Sequence, residues 1–274
     1  MEGKQTLERT DFFFQQIKDH YGYDFSGYSR NSFLRRLSRF KGLYQIDSLE
    51  ELLRQLLADE SFFEKFLQEI TVNITEMFRD PLFFKCLREK VVPQLKTYPH
   101  IRVWGAGCAT GEEAYSLNIL LHEENLGNKT RIYATDINQR VVEQAAEGIY
   151  NINDMSKYTG NYQLAGGMYA FSNYYHAKYQ RAILEEYLKK NIVFSIHNLA
   201  ADKSFNEFNL IVCRNVLIYF DKDLQNKVIK LFIDSLKMFG YLALGSKESL
   251  LLSKYQHYFE VVDGKQKIFR KIKE

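Results

Sequence analysis

Hydrophobic and polar positions divide the chain into two regimes near residue 96. Before it, apolar residues recur at three- and four-residue intervals, the helical period. Leu7 to His20 reads as a first helix, and Ser29 to Lys41 as a second with Phe33, Leu34, Leu37 and Phe40 along one face. Ser48-Leu49-Glu50-Glu51 has the capping-box pattern ahead of Leu52, Leu53, Leu56 and Leu57: a serine hydroxyl there can accept the N–H three residues on. Ser61 to Ile70 continues in the same style. Pro81, after Asp80, is acceptable in the first turn of a further helix. From Ile101 onward, short apolar runs alternate with helical stretches, the mark of a mostly parallel sheet. Strands are predicted at Ile101 to Gly105, Ile132 to Asp136, Ile192 to His197, Leu210 to Cys213 and Tyr241 to Gly245. A last pair, around Phe259 to Val262 and Lys267 to Lys271, flanks Asp263-Gly264, a hairpin turn.

The expected fold class is therefore α/β, with a Rossmann-like seven-stranded mostly parallel sheet and an N-terminal all-helical domain. The expected division is residues 1–96 for the helical domain and 97–274 for the sheet domain. The stretch 150–187 breaks the alternation. It holds eight of the nineteen tyrosines, a Gly166-Gly167 turn and strand-like runs such as Met168 to Phe171. It reads as a small β insert; the rival reading is a long crossover whose tyrosines cover the sheet edge.

Composition adds exclusions. A 274-residue chain with 46% hydrophobic and 26% charged residues can bury a good core. A net charge of +3 is too mild for a general nucleic-acid binder. Cys86, Cys108 and Cys213 are odd in number and widely spaced, so neither a disulfide framework nor a metal site is indicated. The N-terminus has no basic stretch followed by an apolar one, and no apolar run reaches spanning length. A cytoplasmic protein without membrane insertion is the expectation.

Candidate chemistry concentrates between Arg102 and Asp136. A strand ends at Trp104, glycines 105, 107 and 111 punctuate a loop, a helix follows, and a second strand delivers Asp136 at its tip. This is the layout of a nucleoside site: Gly105 and Gly107 let backbone approach a ligand, and an acid at the second strand's end can accept both ribose hydroxyls. The third glycine is one residue late for a dinucleotide fingerprint, and Glu112 and Glu113 follow it. Carboxylates at a helix start repel a pyrophosphate. They tolerate a cationic, phosphate-free nucleoside such as S-adenosylmethionine. Glu112 itself reads as a solvated first-turn acid, and Asp136 could instead only begin the next helix.

Several separated motifs then make the chain resemble the CheR family of chemotaxis receptor glutamate methyltransferases. They are S-R-N-S-F-L-R-R-L (29–37), N-I-T-E-M-F-R-D (73–80), G-C-A-T-G-E-E-A-Y-S (107–116), A-T-D-I (134–137), C-R-N-V-L-I-Y-F (213–220) and G-S-K-E-S (245–249). The resemblance implies S-adenosylmethionine as methyl donor, S-adenosylhomocysteine as product, no metal, and receptor glutamates as acceptors. By the same resemblance, Asn73, Thr75 and Arg79 hold the methionine end of the cofactor, Arg79 facing its carboxylate. Glu113 lies in the cofactor loop and Asp136 binds the ribose. Asn198 with Leu199, and Arg214 with Asn215, close the pocket around adenine and the sulfonium, and Tyr219 faces the transferring methyl. Met77, Ala114 and Ser246-Lys247 depart from the usual pattern. A basic residue used near the methyl group in some members has no clear counterpart, Lys96 being the nearest in sequence.

The implied chemistry agrees with what the chain lacks. A glutamate of ordinary pKa, about 4.3, is ionised at neutral pH and needs no general base, and a thioether leaves without an acid. Tyr219 is suited to orient the acceptor carboxylate with a neutral hydrogen bond. On residues alone, Asn73 and Thr75 could be a helix cap, Arg79 a surface ion pair and Tyr219 core. Arg35, Arg36 and Arg39 read as one exposed positive ridge opposite the apolar stripe. It would dock the acidic helical cytoplasmic domain of a chemoreceptor. The insert would suit a receptor C-terminal tethering peptide. The competing functions are another acceptor on the same fold, or a non-catalytic cofactor-binding adaptor.

Overall fold

The computed structural model describes residues 2–71, 74–250 and 253–274. They form two compact units: Met1–Val72 with Ile218–Lys227, and Asn73–Leu217 with Val228–Glu274.

The first unit contains α1 (Glu2–Tyr21), α2 (Arg30–Tyr44), α3 (Leu49–Ala58) and α4 (Glu60–Ile70). The capping serine works as the sequence indicates, Ser48 Oγ accepting Glu51 N–H at 3.0 Å. Asp59 caps α4 by accepting the N–H groups of Ser61 and Phe62. The core is aromatic: Phe13, Phe14, Phe25, Phe33, Phe40 and Phe66 are all buried, with edge-to-face contacts such as Phe14 on Phe33 at 4.7 Å. The segment 218–227, distant in sequence, is sewn to the turn before α2. Tyr28 and Phe220 form an antiparallel bridge, Ser29 N–H donates to the Tyr219 carbonyl, and Asp221 N–H donates to the Gly27 carbonyl, both at 2.8 Å.

In the second unit, α5 (Pro81–Cys86) runs through a π-helical turn into α6 (Val92–Leu95). There follow β1 (Ile101–Ala106), α7 (Glu112–Glu123), β2 (Thr130–Asp136) and α8 (Gln139–Glu147). Next come β3 (Ile149–Asn151), α9 (Met155–Leu164), β4 (Tyr175–Lys178), β5 (Arg181–Leu184), α10 (Glu186–Lys190), β6 (Ile192–Ile196) and β7 (Phe208–Cys213). Helix α11 (Lys222–Ser235) begins in the first unit and ends in the second, leading to β8 (Leu236–Leu244), β9 (Phe259–Asp263) and β10 (Ile268–Lys271). The seven-stranded sheet has the order β6-β2-β1-β7-β8-β10-β9. Its first five strands are parallel, and β10 runs antiparallel between β8 and β9. The connection from β9 to β10 is four residues, not the two of an Asp-Gly turn, and Asp263 accepts Gln266 N–H to close it.

Segment 73–96 belongs to this second unit, so the structure divides the chain near 72 and not near 96. The cause is packing: Met77, Phe78, Phe83, Phe84, Leu87 and Val91 bury among residues of α7 and the sheet. The insert forms a three-stranded antiparallel sheet, β3-β5-β4. Met168 to Phe171 is not a strand, and α9 makes the insert as helical as it is sheet-like. Tyr150, Tyr158, Tyr162 and Tyr174 are core, whereas Tyr169, Tyr179 and Tyr187 are exposed. Tyr162 and Tyr174 donate to the buried Glu123 carboxylate, which also pairs with the buried Arg88. An unpaired buried carboxylate is costly, so this network fastens the insert to α7.

Candidate active site

The strand order reverses between β1 and β7: the chain runs outward from β1 through β2 to β6, then restarts with β7 on β1's other side. Ligands of open α/β sheets bind outside the carboxyl ends of the strands at such a point. There, hydrogen bonds tie together the loops that follow the strands. Gly107 and Cys108 N–H both donate to the Thr135 carbonyl, and His197 N–H donates to that of Asp136.

Gly107 has φ +80°, and a Cβ there would meet Val216 Cγ2 at 2.4 Å. Only glycine fits. Gly105 is different, since a Cβ there would meet no protein atom nearer than 4.0 Å. Its space is left over by the fold and suits close approach of a ligand. Phe78, Asp80, Ala109 and Asn215 also hold positive φ, between 46° and 62°. Such backbone costs energy, and its clustering in the loops at this end of the sheet marks a built site.

Asp136 is buried. Its Oδ2 accepts Ala109 N–H at 3.0 Å and its Oδ1 accepts Asn138 N–H at 3.1 Å. The cap of α8 is Asn138, whose side chain accepts Arg140 N–H, so Asp136 is not needed to begin that helix. Burial pushes its carboxyl above the ordinary 3.8 despite those N–H donors. Ile137 N–H is a third backbone donor to it; the acceptor capacity that remains suits a hydroxyl, which would favour the ionised form.

Arg214 emerges from β7 with its side chain only 2% exposed. It donates to Asp80 Oδ2 at 2.6 Å and to Glu113 Oε2 at 2.7 Å. Its guanidinium also lies 4.1 Å from the centre of the Phe83 ring. Arg214 is therefore a strut between the 74–80 segment and the first turn of α7, both Nη groups bonded to protein while its buried Nε has no partner among the described residues. Ser116 adds a second stitch: its hydroxyl accepts Phe78 N–H and donates to the Glu112 carbonyl. Glu113 Oε1 has no hydrogen-bond partner among the described residues. Arg79 is half-buried, donates to the Ile74 carbonyl and has no carboxylate partner among the described residues. Thr75 is half-buried in the same segment; Asn73 lies outside the described residues.

Asn198 shapes the turn after β6, its Oδ1 accepting Ala200 N–H at 2.9 Å, and Leu199 is buried. Asn215 is held by a residue whose role the sequence did not reveal. Glu248 is buried and accepts four backbone N–H groups: Val216 and Leu217 on Oε1, Asn215 and Gly245 on Oε2. The G-S-K-E-S motif carried this signal, but nothing in its spacing says that its acid turns back on the β7 loop.

Three expectations change. Glu112 is not solvated: it is buried, accepts the Thr110 hydroxyl at 2.7 Å, and burial raises its pKa. Lys96 pairs with Glu124 ahead of β1, at the opposite end of the strands from the Gly105–Gly107 loop, so it is no substitute for the missing basic residue. Arg36 does not share an exposed ridge with Arg35 and Arg39. Those two are exposed, Arg39 reaching Glu69 at 3.5 Å. Arg36 is half-buried on the flank of the apolar stripe, donates to the Ile70 carbonyl at 3.0 Å and lies over the Tyr219 ring. At 100° per residue, position 36 falls beside Phe33 and Phe40, not opposite them.

The donor set fits a cationic nucleoside better than a phosphate: a ribose-ready acid, open space over Gly105, a guanidinium without a carboxylate, and acids in the first turn of α7. Residues 73–268 match the CheR methyltransferase SAM binding domain and residues 10–71 the CheR methyltransferase all-alpha domain. Over 251 residues, 92% of each chain, this one is 47% identical to the putative methyltransferase Cher3 of Pseudomonas putida. It is 31% identical to the chemotaxis protein methyltransferase of Listeria innocua, over 88% of this chain and 89% of that one. It is also 31% identical to that of Salmonella typhimurium, over 86% and 81%. The fold and the family match define an S-adenosylmethionine-binding methyltransferase. Within that class, the chain belongs to the CheR methyltransferase family. Among the described residues, no group of side chains could hold a metal, and no helix is long and apolar enough to cross a membrane.

Proposed function

We propose that this chain methylates glutamate side chains of chemotaxis receptors, forming glutamyl methyl esters. The observation that carries the reading is the loop cluster around Gly105, Asp136 and Arg79, in a family whose relatives include named chemotaxis protein methyltransferases. In it, Asp136 takes the ribose hydroxyls, the Gly105–Gly107 loop lies along the nucleoside, and Asn198, Leu199 and Asn215 wall the base. Arg79, with Asn73 and Thr75, takes the methionine carboxylate, and the free oxygen of Glu113 takes the ammonium. Arg214 holds Glu113 and Asp80 in register and, with Asn215, closes the pocket.

The bound sulfonium supplies an electrophilic methyl, which a glutamate oxygen accepts as a neutral thioether departs. The protein's share is alignment and exclusion of water. An anion and a cation neutralise each other, so a dry site favours the transition state. Tyr219, four residues beyond Asn215, orients the acceptor carboxylate with a neutral hydrogen bond. An arginine ion pair there would hold the ground state more than the transition state. Arg35 and Arg39 offer the acidic receptor helix a positive face, and the open edge of the insert sheet offers a strand position for a tethering peptide.

Incubation with methyl-labelled S-adenosylmethionine and a receptor cytoplasmic fragment is expected to give base-labile label on the fragment, released as methanol. No label, alongside calorimetric binding of S-adenosylhomocysteine, would redirect the reading to another acceptor or to an adaptor. Tyr219→Phe is expected to lower kcat about ten- to hundredfold, the worth of one oriented hydrogen bond, with S-adenosylhomocysteine affinity within twofold. Unchanged turnover would remove Tyr219 from the chemistry.

A further inference from the structure

Resting on the reading that Tyr219 orients the acceptor, we propose that Arg36 is a positioning residue that fixes the Tyr219 ring, and not part of the receptor-docking ridge. Three contacts within the first unit carry this. The Arg36 guanidinium carbon lies 4.8 Å from the centre of the Tyr219 ring. Its Nη1 donates to the Ile70 carbonyl at 3.0 Å, at the C-terminal end of α4, where the helix dipole favours a cation. The backbone of 219–221 is meanwhile pinned to 27–29 by the Tyr28–Phe220 bridge and two hydrogen bonds of 2.8 Å.

Backbone pairing alone sets where Tyr219 stands but leaves its ring free to rotate. A planar cation over one face restricts that rotation, being attracted by the ring's quadrupole. It also draws electron density from the ring, which makes the hydroxyl a stronger donor to a carboxylate. The charge thus acts through a neutral group, giving electrostatic help without an ion pair to the acceptor. Arg36 is well placed for this because two anchors hold it: the α4 carbonyl and the ring. Lysine offers charge without the stacking plane.

The test compares Arg36→Met, Arg36→Lys, Arg35→Glu and Arg39→Glu by kcat and KM on the receptor fragment, S-adenosylhomocysteine affinity, and hydrogen exchange over 218–222. Arg36→Met is expected to lower kcat roughly tenfold or more with KM within twofold, and to speed exchange in that segment. Arg36→Lys should recover part of both. Arg35→Glu and Arg39→Glu should instead raise KM and leave kcat in place. A raised KM with intact kcat in Arg36→Met would return Arg36 to the docking ridge and overturn the proposal, as would unaltered exchange. If Tyr219→Phe leaves kcat unchanged while Arg36→Met still loosens 218–222, the catalytic reading of Tyr219 fails and Arg36's hold on the segment stands.

Discussion

Arg214→Met is expected to cost the second unit roughly 3 kcal/mol of stability and to abolish measurable S-adenosylhomocysteine binding. The side chain is 2% exposed and bridges Asp80 and Glu113. Methionine fills much of the volume and keeps contact with Phe83, but it leaves two carboxylates facing one another. Glu113, 19% exposed, bears most of that penalty. Asp80, 45% exposed, can turn to water, which holds the cost at the lower end of the range for a broken buried pair. In a chain of this size, the loss corresponds to a fall in Tm of roughly 6–12 °C. The binding defect follows from position: without the strut, the segment carrying Thr75 and Arg79 and the first turn of α7 lose their charged tie and keep only the Ser116 stitch to Phe78 N–H. Arg214→Lys should be intermediate, since one ammonium replaces a fork that spans two acids. Calorimetry and a thermal melt check both parts. Wild-type affinity in a stable Arg214→Met protein would reduce the triad to an incidental ion pair.

Much of this site was legible because the relevant interactions are local. The strand, the glycine loop, the helix and Asp136 lie within 35 consecutive residues, and their spacing alone describes a nucleoside site. Period also sufficed for the helices of the first unit, since Phe33, Leu37 and Phe40 face one way whatever they meet. Contacts of long sequence separation were not legible. No pattern in residues 217–227 shows that they pair with 27–29, because a bridge and two hydrogen bonds carry no periodic signature. Arg36 was misplaced because its two anchors, Ile70 and Tyr219, lie 34 and 183 residues away in sequence. Segment 73–96 was grouped with the helices before it because it is helical, yet its aromatic residues bury against α7 and the sheet. Glu112 looked solvated because acids usually are. Its burial depends on the Thr110 hydroxyl and the insert folding back over the loop.

Glu248→Gln tests the other long-range support, and its effect should approach that of Arg214→Met. Glu248 Oε1 accepts Val216 N–H at 2.9 Å and Leu217 N–H at 2.7 Å; Oε2 accepts Asn215 N–H at 3.1 Å and Gly245 N–H at 2.5 Å. Burial pushes this carboxyl up, yet four donors occupy all four acceptor positions and leave none for a proton. The ionised form is the one that fits. Glutamine keeps the shape but presents one oxygen and one NH2, so two backbone N–H groups would meet another donor. At about 1–3 kcal/mol for each of the two buried unsatisfied groups, the expected loss is roughly 2–6 kcal/mol. The functional cost falls on Asn215, whose φ of 62° lies in the left-handed region, which asparagine tolerates better than most residues but which its held N–H helps to fix. With the clamp gone, Asn215 should relax toward negative φ and carry Arg214 with it. S-adenosylhomocysteine affinity should then fall more than tenfold, and exchange should rise over 214–217 before it rises in β7. Loss of affinity with unaltered exchange there would place Glu248 in the ligand's own contacts, whereas exchange without loss of affinity would detach the clamp from the site.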